Sequence, residues 1–157
     1  MEWMLMPYRR YAEFSGRSRR KEYWMFALFM VIVYTVGAGL VLAGGGLQAM
    51  TAGIPEPDAV TPAEVPGLGP LGWIGVALMV IFALGSFIPS IAVTVRRFHD
   101  RDMSGWWYLG FIVASAIPFV GSLVSIALLV LMCLPGTAGM NRFGDDPKNP
   151  VGYDVFG

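Results

Sequence analysis

Three long stretches of this chain carry no Asp, Glu, Lys or Arg: Tyr23–Pro55, Val65–Val95 and Met103–Asn141. Each exceeds the roughly 20 residues that a helix needs to cross about 30 Å of hydrocarbon. In lipid every backbone N–H and C=O must be satisfied within the protein, so apolar runs of this length fold as helices. Across the 157 residues, 55% are hydrophobic and 14% charged, where soluble domains carry about 25% charge. The expected fold is all-α, a polytopic helical membrane protein. It has two clear transmembrane helices and a long third apolar segment broken by Pro and Gly.

The first span reads as residues 24–43, apolar around its whole circumference as a lipid-facing helix is. It follows a basic, aromatic segment, 1–23, assigned to the cytoplasm or the interface. Residues 44–70, rich in Gly, Pro and Ala with acids but no Lys or Arg, read as a flexible extracytoplasmic loop. The second span covers 71–95. Pro89 is expected to kink it and free a carbonyl near Gly85 for Ser86 or Ser90, and Arg96 and Arg97 at its end are expected to snorkel to water. After a cytoplasmic loop, 96–105, comes the third apolar segment, 106–134. A straight helix from Gly105 to Leu134 would measure about 45 Å, too long for the hydrocarbon. Pro118 and Gly121 near its middle fit either a kinked span or a short helical hairpin. Gly110 with Ala114 and Gly121 with Ser125 suit close helix contact. Pro135-Gly136 ends the helix, and 135–157 is a turn-rich tail.

Orientation follows the basic residues. Arg9, Arg10, Arg17, Arg19, Arg20 and Lys21 precede the first span; Arg96, Arg97 and Arg101 follow the second; none lies in the loop between them. Both basic segments therefore belong in the cytoplasm, and a bacterial inner membrane with the N-terminus inside is the expected location. The tail carries Arg142 and Lys148 against Asp145, Asp146 and Asp154, which leaves its side open. A hairpin would return it to the cytoplasm and relieve the excess length of the third segment.

Three polar segments are too specific to be plain connectors: Gly16-Arg17-Ser18-Arg19-Arg20-Lys21-Glu22-Tyr23-Trp24, then Val95-Arg96-Arg97-Phe98-His99-Asp100 with Ser104-Gly105-Trp106-Trp107, and Gly136 to Pro147 with Gly139, Asn141, Arg142, Phe143, Gly144 and Asp146. Together, from about Tyr8 to Pro147, they resemble domain-of-unknown-function family 805, small bacterial inner-membrane proteins. The resemblance implies a membrane location and brings no activity. The long 44–70 loop departs from the family's pattern.

On their own chemistry, Arg17, Arg19, Arg20 and Lys21 either fix orientation or bind anionic headgroups, with Tyr23 and Trp24 as interface anchors. Trp3, Leu5, Tyr8, Tyr11 and Phe14 recur at roughly helical spacing, so the segment that carries them can lie in the interface with its aromatic side down. His99 beside Asp100 is either a general base with an orienting carboxylate, part of a phosphate site with Arg96 and Arg97, or a structural hydrogen-bonding residue. Adjacent residues on a helix do not face each other, which favours the structural role. Trp106 and Trp107 mark re-entry into the membrane. In the tail, Asn141, Arg142 and Asp146 suit tight turns, and Arg142 can pair with Asp100 or Asp102 if the tail lies inside.

These residues support a non-enzymatic membrane component whose basic face binds anionic lipid or a protein partner. A small homo-oligomeric transporter or channel, lined by Ser86, Ser90, Ser115 or Ser122, is the alternative. A lipid-modifying enzyme ranks below both: the sequence shows no nucleotide loop, no Ser nucleophile elbow and no clustered acids with paired histidines. One His and the single Cys133 cannot build a zinc site, no cofactor or metal is expected, and equal numbers of basic and acidic residues give no signal for nucleic acid.

Overall fold

The computed structural model describes residues 2–52 and 67–148. Within them the chain is helical, with no strand beyond one isolated bridge pair, Asn141 and Gly144. Six helices occur in order: α1 (Glu2–Arg9), α2 (Arg20–Val41), α3 (Leu47–Ala52), α4 (Pro70–His99), α5 (Trp106–Ser115) and α6 (Val120–Cys133). They contribute to two compact units, one drawn from Met1–Leu28 and Ser86–Gly157, the other from Phe29–Gly85.

The second unit is built by the later part of α2, the earlier part of α4, and the kinked segment between α2 and α3. Its helices approach through glycines. A Cβ on Gly75 would lie 2.7 Å from the Gly37 carbonyl oxygen and 2.8 Å from the Val41 nitrogen. Gly44 packs on the backbone of Gly72 and accepts a 2.8 Å hydrogen bond from the Gly69 N–H. Gly37 facing Gly75 while Gly44 faces Gly72 makes the pair antiparallel. Small residues let transmembrane helices close to backbone contact, where packing rather than water drives association. Phe82 adds edge contacts to Phe29 and Tyr34, each with ring centroids 5.6 Å apart. The chain kinks after α2 at Leu42–Gly46, where Gly45 takes φ 96°, a conformation that costs glycine little. Helix then resumes through Leu47–Ala52, inside the stretch read from sequence as loop; the remainder of that loop up to residue 66 lies outside the described residues.

In the first unit the third apolar segment is resolved as two short helices joined by a tight turn at Ala116–Phe119. Phe98, at the end of α4, lies 6.5 Å from Tyr108 and 5.8 Å from Phe111 near the start of α5. Its neighbour Arg97 reaches the carbonyls of Met132 and Leu134 at the end of α6. Both ends of the segment therefore return to the same end of α4, so α5 and α6 form a hairpin and not one kinked span. Gly121 packs on the Ser115 carbonyl across the turn, whereas Gly110 faces open space. Pro89 is accommodated within a continuous α4. Ser90 donates to the Phe87 carbonyl at 2.7 Å, while Ser86 is taken by the Tyr8 hydroxyl at 2.5 Å. Tyr8 also packs edge-on against Phe26, so this member of the N-terminal aromatic series faces protein; Leu5, Tyr11 and Phe14 are exposed.

Candidate functional site

The first unit holds a polar knot where the three sequence motifs meet. Its centre is Asp100, 4% exposed, just past the end of α4. One carboxylate oxygen, Oδ1, accepts from Arg17 Nε at 3.0 Å and lies 3.0 Å from Arg17 Nη2. The other, Oδ2, accepts from Arg97 Nη1. Arg17 continues into the tail: Nη2 donates to the Thr137 carbonyl at 2.5 Å and Nη1 to the Gly139 carbonyl at 2.6 Å. A single guanidinium thus joins the segment before α2, the end of α4 and the tail. Its planar fork of five donors suits such a junction.

The sequence expectation for Arg96 and Arg97 is corrected here. Both are 0% exposed and neither snorkels. Arg96 forms an ion pair with buried Glu22, Nη1 to Oε1 at 3.0 Å. Burying a charge is tolerable only when it is paired, and Glu22 and Asp100 supply the pairing. Glu22 stands inside the basic motif four residues after Ser18, whose N–H donates to the Arg96 carbonyl at 3.1 Å. A lone acid within a basic run was the available signal for this partner.

A second task of the knot is to satisfy helix ends. The last carbonyls of a helix have no partners within it and carry partial negative charge. At the end of α6, two arginines take them up, Arg97 at Met132 and Leu134 and Arg20 at Cys133 at 3.1 Å, and Arg101 holds the Pro135 carbonyl just beyond at 3.0 Å. At the end of α4, the tail does so. Thr137 N–H donates to the Asp100 carbonyl at 2.8 Å, and Asn141 Nδ2 donates to the His99 carbonyl at 2.9 Å. Gly136 allows this approach, since a Cβ there would overlap the Asp100 carboxylate.

His99 stacks flat on Phe143, centroids 3.9 Å apart and planes 4° from parallel, with Nδ1 3.2 Å from the Gly16 carbonyl, to which its N–H donates. Asp100 is spent on two arginines and does not orient the imidazole. Arg142 pairs with Asp102, Nε to Oδ1 at 3.1 Å, at an exposed site. Asp146 accepts from the N–H groups of Lys148 at 2.9 Å and Gly139 at 3.3 Å. The Lys148 bond foremost holds its carboxyl below the ordinary aspartate range. Among the described residues no group of three or more His, Cys, Asp or Glu could hold a metal ion.

The sequence candidates therefore divide. Arg17, Arg97, His99, Asp100 and Asn141 hydrogen-bond within the knot, and Arg96 is held there by its ion pair with Glu22. Arg19 and Lys21 lie over the Trp3 ring, at 5.8 and 5.2 Å from its centroid. Arg20 and Lys21, both exposed, form the rim of an open groove of about 350 Å³ completed by Trp24, Met25 and Cys133. Trp24, Trp106 and Trp107 are exposed, and half-buried Tyr23 packs edge-on against Trp24. Missed from sequence were the roles of Glu22, Ser18, Thr137 and Phe143.

Residues 11–145 match the model of a family described as a protein of unknown function, DUF805. The chain is 38% identical over 148 residues to the inner membrane protein YhaI of Escherichia coli K12, covering 94% of this chain and 97% of that protein. Identity to inner membrane protein YhaH of the same strain is also 38%, covering 94% and 98%. No solved structure matches the chain.

Proposed function

We propose, for a chain that belongs to the DUF805 family and is a helical membrane protein, a non-enzymatic role: binding of anionic phospholipid at the groove of Arg20, Lys21 and Trp24. The observation that carries this reading is the groove's composition. Two exposed cations stand over an opening whose other walls, Trp24, Met25 and Cys133, are largely apolar. A phosphodiester headgroup would meet Arg20 and Lys21 while its first acyl carbons follow Met25 along α2. Each Lys or Arg near an anionic surface contributes about 1 kcal/mol. In this reading the buried arginines are engaged within the knot, Arg17 and Arg97 by carboxylate and carbonyl partners and Arg96 by its ion pair with Glu22, while exposed Arg20, which also donates to the Cys133 carbonyl, and Lys21 face the groove.

In this reading the protein is multi-pass in the inner membrane, with the knot on the cytoplasmic side. Basic segments stay inside, and the knot ties the segment before α2, the loop after α4 and the tail to one another, so all three share that side. The test is Arg20→Gln with Lys21→Gln in the full chain, followed by native mass spectrometry of retained lipid. Loss of two such contacts corresponds to about 2 kcal/mol, or roughly 30-fold weaker retention of phosphatidylglycerol or cardiolipin. Unchanged retention in folded protein would contradict the reading.

A further inference from the structure

The α5–α6 hairpin is too short to cross a bilayer. At 10 and 14 residues, its helices measure about 15 and 21 Å against about 30 Å of hydrocarbon. Its open ends are fixed at the polar knot, by Arg97, Arg20 and Arg101 on the end of α6 and by Phe98 against Tyr108 and Phe111. Trp106 and Trp107, 78% and 57% exposed, stand where interfacial tryptophans belong. From that level the tip reaches about the middle of the hydrocarbon.

A turn at that depth must satisfy its own backbone or be covered. This one is largely self-satisfied. Ala116 N–H donates to Val113 at 3.2 Å, Ile117 to Ala114 at 3.2 Å, Val120 to Pro118 at 2.8 Å and Gly121 to Ile117 at 2.9 Å; Pro118 has no N–H to place. The Ser115 and Ser125 hydroxyls likewise donate back to their own helices, to Ile112 at 2.7 Å and Gly121 at 2.9 Å. At the apex, Phe119 takes φ 65°, which L residues rarely adopt, and its side chain is 93% exposed. Presenting an aromatic ring outward from a constrained turn is unfavourable in water and natural among acyl chains. Around the hairpin, Ile112, Val113, Ile117, Leu123 and Ile126 are exposed as well, and a helix apolar on all sides is one that meets lipid.

We propose that α5–α6 is a re-entrant hairpin embedded in a single leaflet, with Phe119 among acyl chains near the bilayer midplane. The protein then displaces lipid from the leaflet that carries the knot and leaves the other untouched at this position. The occupant of the hairpin surface is acyl chain. This placement needs no headgroup in the Arg20–Lys21 groove, so either idea can fail while the other stands.

The test uses full-length protein with Cys133→Ser and a single new cysteine, Phe119→Cys, Val113→Cys or Trp107→Cys, reconstituted in phosphatidylethanolamine–phosphatidylglycerol vesicles. Each cysteine is read by nitroxide collision with oxygen and with a water-soluble nickel chelate, and by impermeant maleimide from both sides. These three positions are exposed, so substitution removes little packing. The expected result is depth increasing from residue 107 to 113 to 119. At 119, oxygen accessibility is high, nickel accessibility low, and maleimide reactivity lost from both sides. Reaction at 119 from the side opposite the knot would overturn the proposal in favour of a full crossing through thinned membrane. Low accessibility to both oxygen and nickel would overturn it too, placing the tip against a second copy of the chain.

Discussion

The two compact units are held by opposite means. The Phe29–Gly85 unit closes by bringing glycines Gly37, Gly44, Gly72 and Gly75 into backbone contact, with no ion pair in its seam among the described residues. The other unit centres on five buried charges, Arg17, Glu22, Arg96, Arg97 and Asp100. Shape holds the first; charge and hydrogen bonding hold the second. Close packing tolerates no added methyl but survives loss of polar groups. A buried ionic knot has the reverse sensitivity, because each ion removed leaves its partners stranded in a medium that cannot solvate them.

The sharpest break between the units is Asp100→Ala, which leaves both Arg17 and Arg97 without their carboxylate. Stranding a buried partner costs about 3–5 kcal/mol, expected as a large drop in the unfolding midpoint in detergent and in tail protection from protease. A smaller effect belongs to Gly75→Ala. Its methyl meets backbone on α2 and forces the helices apart, at a cost of about 1–3 kcal/mol. Gly85→Ala supplies the matched control in the same helix: nothing lies within 4 Å of the new Cβ, and the gain in helix propensity is roughly 0.5–1 kcal/mol in the other direction. Equal effects at Gly75 and Gly85 would dissolve the glycine seam, and a neutral Asp100→Ala would dissolve the knot.

Sequence reasoning reached the helices and the three motifs because hydrocarbon thickness and charge asymmetry act locally along the chain. It offered both a kinked span and a hairpin for 106–134, and the choice lay in long-range contacts, Phe98 to Tyr108 and Arg97 to Leu134, that no local period encodes. Arg96 and Arg97 looked like interface residues because consecutive arginines after an apolar run usually are. Their burial depends on Glu22, far from Arg96 in sequence, and on Asp100, which is local to Arg97 but is itself enclosed by Arg17 from a distant segment. Gly37, Gly44, Gly72 and Gly75 were legible only as composition, since a contact between helices fixes which of many glycines face one another. Gly136 is similar: its visible role was to end a helix, while its closeness to Asp100 arises from the fold.

The account rests on Arg17 being a structural member of the knot while its neighbour Arg19 is not. A double-mutant cycle of Arg17→Gln with Asp100→Asn, scored by unfolding in detergent, measures that directly. The predicted coupling lies between about 0.5 and 3 kcal/mol, the range for groups in one ion-pair network, and the parallel cycle of Arg19→Gln with Asp100→Asn is additive. Additive behaviour for Arg17, or equal coupling for Arg19, would contradict the union of the three motifs at Asp100.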